Sequence, residues 1–531
     1  MKRIHILYNT AIAVAVGGMM LTSCDDFLDQ MPDNRTTISS EEKVKSLLVS
    51  AYPDHDFNLF CEYLSDNVDE FQNTNTEEFV DELYRWKDPT QTNNESPERY
   101  WETAYTMATT ANTALEGIEQ AGGPVTTTLK ECKGEALLCR AYAHFMLVNI
   151  FSLNYNSATA DKDLGIPYMY DSGSKIGSIK DRGTVAEVYA CIDKDIQEAL
   201  PLIGDSHLTI PKYHFNTKAA YAFATRFYLY YEKWDKAIEY ANKCLGGNPK
   251  SLLRDWAAMT STVASQIQPR AQHYVSSDLN CNLLLSTGYS NAGFAFGNYS
   301  TWKKYAHGPN LDATETSRAN NLWGNYTMLY EPTHVYSGTG FSYNIFWRVP
   351  YLFEYTDAVA GIGYRHSIFP LFTTDECLLN RADAYIMTKQ YDKAAEDLTL
   401  WMQNFTKSTK TLTPEIITDH YNAAEYSYSD AQGLEGTIKK HLNPAFAIDA
   451  EGSTQECMLQ CVIGFRRLET MPFGMRWFDI KRFGIEIPRR RMALSGTPEE
   501  KTDFLSKDDP RRALQLPQKA LDAGMTPNPR N

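Results

Sequence analysis

Two distant segments of the chain repeat one pattern of small and aromatic residues. Residues 222–237 and residues 379–394 align when Trp234 is placed on Tyr391. Each copy predicts a helix, a tight turn and a second helix, because alanines let two helices approach while aromatic side chains fill the gaps, as in tetratricopeptide repeats. A chain built on such units is expected to be mostly α-helical, with tetratricopeptide-like helical hairpins as its scaffold.

Other segments add helices to this scaffold. Residues 130–151 and 184–202 carry apolar side chains at spacings of three and four, and together they predict a third hairpin. Ser96-Pro97-Glu98 begins another helix, because serine, proline and an acid in this order favour a helix N-terminus. Gly122-Gly123-Pro124 ends it. A further helix is predicted from Ser40 to about Tyr52.

Residues 266–372 break this pattern and are predicted to form a long, irregular, loop-rich insert. They are rich in glycine, asparagine, serine and tyrosine. Between positions 286 and 355, 17 of 70 residues are aromatic, about twice the 12% of the whole chain: Tyr289, Phe294, Phe296, Tyr299, Trp302, Tyr305, Trp323, Tyr326, Tyr330, Tyr336, Phe341, Tyr343, Phe346, Trp347, Tyr351, Phe353 and Tyr355. Aromatic rings offer flat apolar faces with polar edges, which suit ligand contacts, so the insert is the candidate ligand face.

The N-terminus has the features of a bacterial lipoprotein signal peptide in the right order. Lys2-Arg3 precedes an apolar run at residues 11–21, too short to span a bilayer, and Leu21-Thr22-Ser23-Cys24 follows. We predict that residues 1–23 are removed and that Cys24 begins an acidic lipidated tether, residues 24–40. An N-terminal cysteine can carry two lipid groups, a thioether-linked diacylglycerol and an amide-linked chain such as palmitate, and stable anchoring needs more than one. The alternative is an ordinary signal peptide cut nearby.

The mature chain is strongly acidic. The whole sequence has a formal net charge of −15, and subtracting the two positive charges of the signal peptide gives −17. Such a body repels nucleic acid, so no nucleic-acid partner is expected. Nine cysteines remain besides Cys24, an odd number without a CxxC motif, and they predict core packing rather than disulfides or a metal site.

The sequence has none of the common catalytic signatures: no HExxH, no GxSxG and no P-loop. Asp161-Lys162-Asp163-Leu164-Gly165 is similar to the start of a calcium loop but lacks the distal glutamate. We predict no catalytic residue, no metal site and no cofactor beyond the lipid on Cys24, with bound calcium left open. A glycosidase carboxylate pair meets only in space, so sequence alone does not exclude an enzyme.

Seven pieces of the chain, in order, resemble the SusD/RagB family of outer-membrane nutrient-binding lipoproteins. They are Ser23-Cys24-Asp25-Asp26-Phe27-Leu28-Asp29; Trp101 with Tyr105 and Asn112; Arg140-Ala141-Tyr142 with Phe145; Gly165-Ile166-Pro167-Tyr168; Arg182-Gly183-Thr184-Val185; Trp234-Asp235-Lys236-Ala237; and Arg476-Trp477-Phe478-Asp479. The resemblance implies a SusD-like N-terminal helical region at residues 41–265 and a SusD/RagB-like C-terminal region at residues 373–531, on either side of the insert.

The resemblance also implies a function. Members are non-catalytic, face outward from the outer membrane on a lipid anchor, bind oligosaccharides or in some cases peptides, and act as hinged lids on SusC-like TonB-dependent transporters. Two alternatives remain. A surface glycoside hydrolase or lyase would turn over a polymer, and a structural repeat scaffold would recruit protein partners without affinity for a small ligand.

Five aromatic residues are candidate ligand contacts. Trp302, Trp323, Tyr326 and Trp347 lie in the insert, and Trp86 lies in a polar loop, where an exposed ring would make a platform. The alternative for each of them is burial in the core. Three further tryptophans lie in packing motifs and are assigned to structure: Trp101, Trp234 and Trp477.

Overall fold

The computed structural model describes residues 40–173, 181–262, 267–297, 299–301, 303–332, 334–339 and 341–530. The predicted signal peptide, Cys24 and nearly all of the predicted tether lie outside these residues. The helices are α1 (Glu41–Leu48), α2 (Asn58–Leu64), α3 (Glu78–Tyr84), α4 (Pro97–Gln120), α5 (Thr127–Phe151), α6 (Val185–Ala199), α7 (Thr217–Tyr230), α8 (Trp234–Leu245), α9 (Trp256–Thr262), α10 (Ile267–Tyr274), α11 (Ala292–Ala295), α12 (Pro309–Glu315), α13 (Thr374–Met387), α14 (Tyr391–Phe405), α15 (Pro414–Asn422), α16 (Thr454–Thr470), α17 (Met475–Arg482) and α18 (Gln518–Asp522).

The strands form small sheets beside the helices. They are β1 (Asp69–Glu70), β2 (Asn282–Tyr289), β3 (Tyr305–Ala306), β4 (His334–Gly338), β5 (Phe341–Ile345), β6 (Leu352–Asp357), β7 (Ile362–Thr373), β8 (Ile487–Met492) and β9 (Pro498–Leu505). One sheet has the order β3-β1-β8-β9, a second is the antiparallel sheet β2-β7-β6, and β4 and β5 form a separate hairpin.

The helical scaffold consists of paired helices, as the repeat predicts. α7 packs against α8, and α13 against α14, which confirms both copies; α5 packs against α6 and confirms the third hairpin. Ala222 and Ala382 are buried, so alanines lie where the helices approach. α8 also packs against α13, which makes the two distant copies neighbours in space.

Helix ends follow the local sequence signals. The Ser96 hydroxyl accepts the backbone N–H of Arg99 and caps α4, as predicted. At the start of α6, the Thr184 hydroxyl accepts the backbone N–H of Glu187, and the Glu187 carboxylate accepts the backbone N–H of Thr184. This reciprocal capping box satisfies backbone groups that a helix start leaves unpaired.

The segment after α1 continues in turns and bends rather than as a helix. α1 ends at Leu48, although the sequence pattern predicted a helix to about Tyr52. The carbonyl of Asp54 accepts the backbone N–H of Tyr289 at 2.8 Å, so the chain lies along β2 instead. Gly288 permits this approach, because a Cβ at that position would overlap the carbonyl oxygen of Asp54.

Buried ion pairs tie the N-terminal and C-terminal regions together. Arg476 donates to the two carboxylate oxygens of Asp66 at 2.8 and 2.9 Å. Arg490 donates to the two carboxylate oxygens of Asp69 at 2.9 and 3.0 Å, and Arg466 links Asp479 and Asp383 within the C-terminal region. Removing one partner of such a pair leaves an uncompensated buried charge and costs about 3–5 kcal/mol. The Arg-Trp-Phe-Asp motif at residues 476–479 is therefore a packing motif.

The predicted insert contains more regular structure than its composition indicated. Residues 266–372 include β2 to β6, most of β7, and the short helices α10 to α12. The β2–β7 and β6–β7 pairings contain register shifts, which interrupt the two-residue alternation that identifies a strand from sequence. The chain remains mostly helical, as predicted, with this sheet added to one side.

The described cysteines behave as the sequence suggested. All nine of those described, Cys61 to Cys461, are free, and eight of them are buried. Burial raises the pKa of Cys61, Cys139 and Cys461 well above the ordinary thiol value. These thiols are therefore packing residues, inert as nucleophiles at neutral pH.

Candidate functional site

The tryptophans that the sequence favoured in the insert are buried. Trp323 is 2% exposed and packs against Phe465, with 5.6 Å between ring centroids. Trp347 is 4% exposed and makes edge contacts with Trp256 and Tyr274 at 6.3 and 5.8 Å. The prediction that both rings face a ligand is therefore wrong. Large apolar rings gain the most free energy from burial, and these two rings lie in the core.

Trp86 is likewise a core residue and not an exposed platform. Its side chain is 3% exposed, although the surrounding loop is polar. The indole N–H donates to the carbonyl of Leu64 at 3.0 Å, and the guanidinium of Arg489 lies 3.9 Å from the ring centroid. Because β8 supplies Arg489 from the far end of the sequence, nothing local to Trp86 indicated that its ring would be covered.

The two remaining candidate ligand contacts are Trp302 and Tyr326. Trp302 lies outside the described residues. Tyr326 is 39% exposed, and the guanidinium of Arg318 lies 4.8 Å from its ring centroid. Tyr326 therefore remains a candidate contact, separate from the surface described next.

Three other aromatic residues of the insert form an exposed surface, here called the aromatic platform: Phe294, Tyr299 and Tyr351. Tyr299 is 50% exposed, and its neighbours are partly exposed. The rings of Tyr299 and Tyr351 lie 4.6 Å apart at 47°, and Phe294 lies 6.4 Å from Tyr351. Adjacent tilted rings offer apolar faces beside phenol hydroxyls, which suits a pyranose ring with its C–H patches and hydroxyl groups.

Backbone contacts hold the platform in place. The backbone N–H of Tyr351 donates to the Gln268 side-chain oxygen at 3.3 Å, and its carbonyl accepts from the Gln268 side-chain amide. On the other side, the Ser300 hydroxyl donates to the carbonyl of Ala295 at 2.9 Å and fixes the loop that carries Tyr299. A platform held in this way loses little conformational entropy when a ligand binds.

Two cations border the platform. The guanidinium of Arg365 lies 4.2 Å from the Phe294 ring centroid and donates to the Asn291 side-chain oxygen at 3.0 Å. The ammonium of Lys303 lies 5.1 Å from the same ring, and burial lowers the pKa of Lys303 below its usual value. These groups are hydrogen-bond donors for ligand hydroxyl or carboxyl oxygens.

Two buried carboxyl groups lie behind the Asn291 loop. Glu95 accepts the backbone N–H of Asn291. Burial raises the pKa of Glu95 well above its usual range, and the charge of Asp56 raises it further; burial also raises the pKa of Asp56 to about 6. Glu95 is 4% exposed and Asp56 is 8% exposed, so these acids support the loop from below and do not lie on the platform.

Within the described part of the chain, no three histidine, cysteine, aspartate or glutamate side chains are grouped to hold a metal ion. In the segment similar to a calcium loop, the Asp163 carboxylate accepts from the Thr159 hydroxyl at 2.6 Å, and the Asp163 carbonyl accepts the backbone N–H of Val185. This segment is a turn packed against the start of α6.

The platform residues are among the 17 aromatics of the insert, but none of them is one of the five predicted ligand contacts. Tryptophan has the largest aromatic ring and gains the most from burial, so choosing tryptophans as candidates selects rings that lie in the core. The useful signal is local composition: apart from Trp302, the residues around Tyr299 at positions 297–304 are glycine, asparagine, serine, threonine and lysine, which offer little apolar surface to cover a large ring.

The chain is similar to known proteins in sequence and in fold. A family model for SusD-like proteins, described as starch-binding and associating with the outer membrane, matches residues 26–229. None of the curated proteins is significantly similar to the chain in sequence.

Solved structures extend the similarity over nearly the whole chain. A SusD-like carbohydrate binding protein from Bacteroides vulgatus superposes with a TM-score of 0.60 at 16% identity, covering 91% of this chain and 96% of that one. A SusD superfamily protein from the same species gives a TM-score of 0.61 at 16% identity, with 93% and 99% covered. Another from Bacteroides thetaiotaomicron gives 0.58 at 18% identity, with 92% and 100% covered.

The fold of the described residues, helical hairpins with a sheet-containing insert, is thus similar to the fold of these SusD superfamily structures. In sequence, the similarity to the SusD-like family model covers residues 26–229. No helix in its described residues combines the length and the hydropathy needed to cross a membrane.

Proposed function

We propose that this chain is a non-catalytic cell-surface lipoprotein that binds oligosaccharides and delivers them to a SusC-like TonB-dependent transporter. The aromatic platform is the observation that carries the proposal. Two further facts support a glycan ligand: the matching family model is described as starch-binding, and one similar structure is a carbohydrate binding protein.

Binding at the platform follows from its geometry. A sugar ring stacks on Tyr299 or Tyr351 through its C–H face, and the phenol hydroxyls lie at the ring edges within reach of its hydroxyl groups. Lys303 and Arg365 supply donors at the border of the platform. The surface is open, so it suits one stretch of a longer polymer rather than an enclosed monosaccharide.

Anchoring and delivery complete the proposal. Lipid on Cys24 would hold the body on the outer membrane, facing outward, beside its transporter. Ligand would favour a closed lid only by its greater affinity for the closed state, because a ligand shifts a conformational equilibrium by differential binding alone.

Affinity electrophoresis tests the glycan part of the proposal. The full chain is run in detergent through gels containing plant, host or microbial polysaccharides, beside the double variant Tyr299→Ala/Tyr351→Ala. Retardation of the wild type by one polymer that stays intact, and its loss in the variant, is the expected result. A shortened polymer would support the hydrolase or lyase alternative, and no retardation by any polymer would favour a peptide ligand.

Co-purification tests the transporter part separately. The transporter-class partner is expected to remain with the wild-type chain when membranes of its own cells are solubilised in mild detergent. A partner set without a TonB-dependent transporter would contradict delivery while leaving glycan binding intact.

A further inference from the structure

A cleft lies on a part of the molecule away from the aromatic platform. It is bounded by the end of α1, one side of α4 and strand β2, and has a volume of about 560 Å³. We name it the α1–α4 cleft. Small-molecule sites usually occupy about 300–1,000 Å³, so its volume is that of a binding site rather than a packing defect.

The lining of this cleft is rich in hydroxyl groups and poor in charge. Thr103, Thr106 and Thr110 line it from α4, and their spacing of three and four places them on one helix face. Among the described residues of its wall, Asp54 is the one carboxylate, and there is no lysine or arginine. Its chemistry therefore fits a neutral, hydroxyl-bearing ligand and offers no cation to an anionic one.

A buried carboxylate organises the polar floor of the cleft. Glu135 has no exposed surface, and its Oε1 accepts from the hydroxyl of Tyr52 and from Nδ1 of His214, each at 2.6 Å. Burial alone would raise the pKa of Glu135, but its hydrogen bonds with His207 and His214 lower it below the usual value, so the carboxylate is ionised. Because Nδ1 of His214 is engaged, Nε2 is the ring nitrogen available to a ligand.

An aromatic row continues one end of the cleft. Asp54 and Thr287 line the cleft, and the next ring along each chain segment belongs to His55 and Tyr289. The rings of His55 and Tyr289 stack at 5.7 Å and 23°, and Tyr289 stacks on Tyr364 at 6.4 Å and 21°. Thr287 and Tyr289 are two residues apart on β2 and so project from the same face of the sheet.

The cleft is separate from the aromatic platform. Tyr289 pairs with His366 across β2 and β7, so Tyr364 lies on the same face as Tyr289. Arg365, the next residue on β7, projects from the opposite face, where it contacts Phe294 of the platform. One sheet therefore carries the platform on one face and the end of the α1–α4 cleft on the other.

We propose that the α1–α4 cleft is a second saccharide site, which takes a short neutral oligosaccharide between the hydroxyls of α4 and the imidazole of His214, with a terminal ring against the edges of the His55, Tyr289 and Tyr364 rings. The ligand class rests on the proposed function, whereas the site itself rests on the cleft and its organised floor. Two sites on opposite faces of one sheet let a single anchored chain hold two segments of a branched polymer, which increases residence without new contacts.

Isothermal titration calorimetry on the full chain in detergent tests this proposal. The probes are four neutral hexasaccharides: maltohexaose, mannohexaose, xylohexaose and galactohexaose. Thr106→Trp fills the cleft from an exposed helix position, and Thr127→Trp, at an exposed threonine in the first turn of neighbouring α5, is the matched control. The platform variant Tyr299→Ala/Tyr351→Ala is titrated in parallel.

Two binding events are expected for the wild type and for Thr127→Trp with at least one probe. Thr106→Trp should weaken one event at least tenfold, and the platform variant should weaken the other. If the platform variant abolishes all binding and Thr106→Trp changes nothing, the cleft proposal is overturned while the proposed function stands. If only Thr106→Trp abolishes binding, the platform is refuted and the cleft is the glycan site. No heat from any probe would overturn the cleft proposal for neutral glycans.

A 13C-methyl label on methionine gives a second readout. Met107 lines the cleft, whereas Met458 is fully buried in α16. The Met107 methyl resonance is expected to shift on titration with the binding hexasaccharide, in the wild type and in the platform variant, while that of Met458 stays in place. An unchanged Met107 resonance at saturation would overturn the cleft site even if the calorimetry showed two events.

Discussion

The Nε2 atom of His207 lies 2.8 Å from Oε2 of Glu135 in the floor below the α1–α4 cleft. The other ring nitrogen, Nδ1, lies 3.0 Å from Oε2 of Glu131. Ionised carboxylates only accept hydrogen bonds, so both ring nitrogens donate and His207 is protonated. Burial alone lowers the pKa of His207, but the bonds to Glu135 and Glu131 outweigh it and raise the pKa above its ordinary value.

Raising the pH is therefore expected to lower the free energy of unfolding, because His207 loses its proton. A histidine with a raised folded pKa contributes stability that is complete below its unfolded pKa, about 6.5, and is lost as pH rises through the folded pKa. Thermal unfolding of the wild type and of His207→Gln should be followed between about pH 5 and about pH 9. The wild-type Tm should fall more steeply on the alkaline side than that of the variant; parallel curves would contradict the assignment.

Removing the two tyrosines of the platform is expected to weaken glycan binding without unfolding the chain. Tyr299 and Tyr351 are exposed or partly exposed, so their loss should change the free energy of unfolding by less than about 1 kcal/mol. Loss of stacking should reduce affinity for the retained polymer about tenfold or more, about 1.4 kcal/mol. Tyr336→Ala, at a 52% exposed tyrosine on the β4–β5 hairpin, is the control and should bind like the wild type.

Truncating Trp86 is expected to act on stability. Its ring is enclosed by Arg489 and Leu64, so Trp86→Ala should lower the free energy of unfolding by about 3–5 kcal/mol. Tyr326→Ala, at an exposed position, should stay within about 0.5 kcal/mol of the wild type. Chemical denaturation measures both. A Trp86→Ala variant that keeps full stability but loses glycan binding would restore the exposed-platform interpretation.

Adding a methyl group at Gly288 is expected to push the Asp54 segment off β2. The new Cβ would overlap the Asp54 carbonyl oxygen, and overpacking of this kind costs about 1–3 kcal/mol. Gly247→Ala is the matched control, because a Cβ there meets no atom within 4 Å. Thermal unfolding should give a lower Tm for Gly288→Ala than for Gly247→Ala. Equal Tm values would show that the Asp54 segment can move away from β2 without loss of stability.

Replacing Cys24 should release the protein from the membrane. Cys24→Ser removes the thiol to which a diacylglycerol would be attached, so the variant should lose incorporation of labelled palmitate and leave the membrane fraction. The other cysteines are buried or partly buried, and Cys191→Ser, at the partly buried one, should keep both properties. Membrane retention of unlabelled Cys24→Ser would place the anchor elsewhere.

The helical scaffold was predictable because its signals are local. The alanine and aromatic spacing at residues 222–237 and 379–394 reports packing within a few turns, and Ser96 and Thr184 cap their helices through neighbouring residues. The pairings of β2 and β6 with β7, which the sequence did not predict, are interrupted by register shifts. β2 is buried along most of its length, whereas β4 and β6 are mostly exposed, so none of the three shows the alternation of a half-buried strand.

The sequence predicted the region of the candidate site but not the residues that form it. The aromatic-rich insert does carry the platform, but which rings stay exposed depends on contacts that sequence spacing does not show. Trp86 is covered by Arg489 from β8, whereas Tyr299 meets Tyr351 because Gln268 and the strand pairing hold their loops together. The preference for tryptophan was wrong for Trp86, Trp323 and Trp347, because the largest rings were taken into the core.

The direct packing of α8 on α13 means that residues 246–373 leave and re-enter the frame at adjacent points. A segment whose ends already meet can change in length or composition at little cost in loop-closure entropy. The packing of the helical hairpins therefore sets little limit on the length of this segment. Glu315 is an exception within it, because its buried carboxylate pairs with Lys440, Arg467 and Arg490 outside the segment.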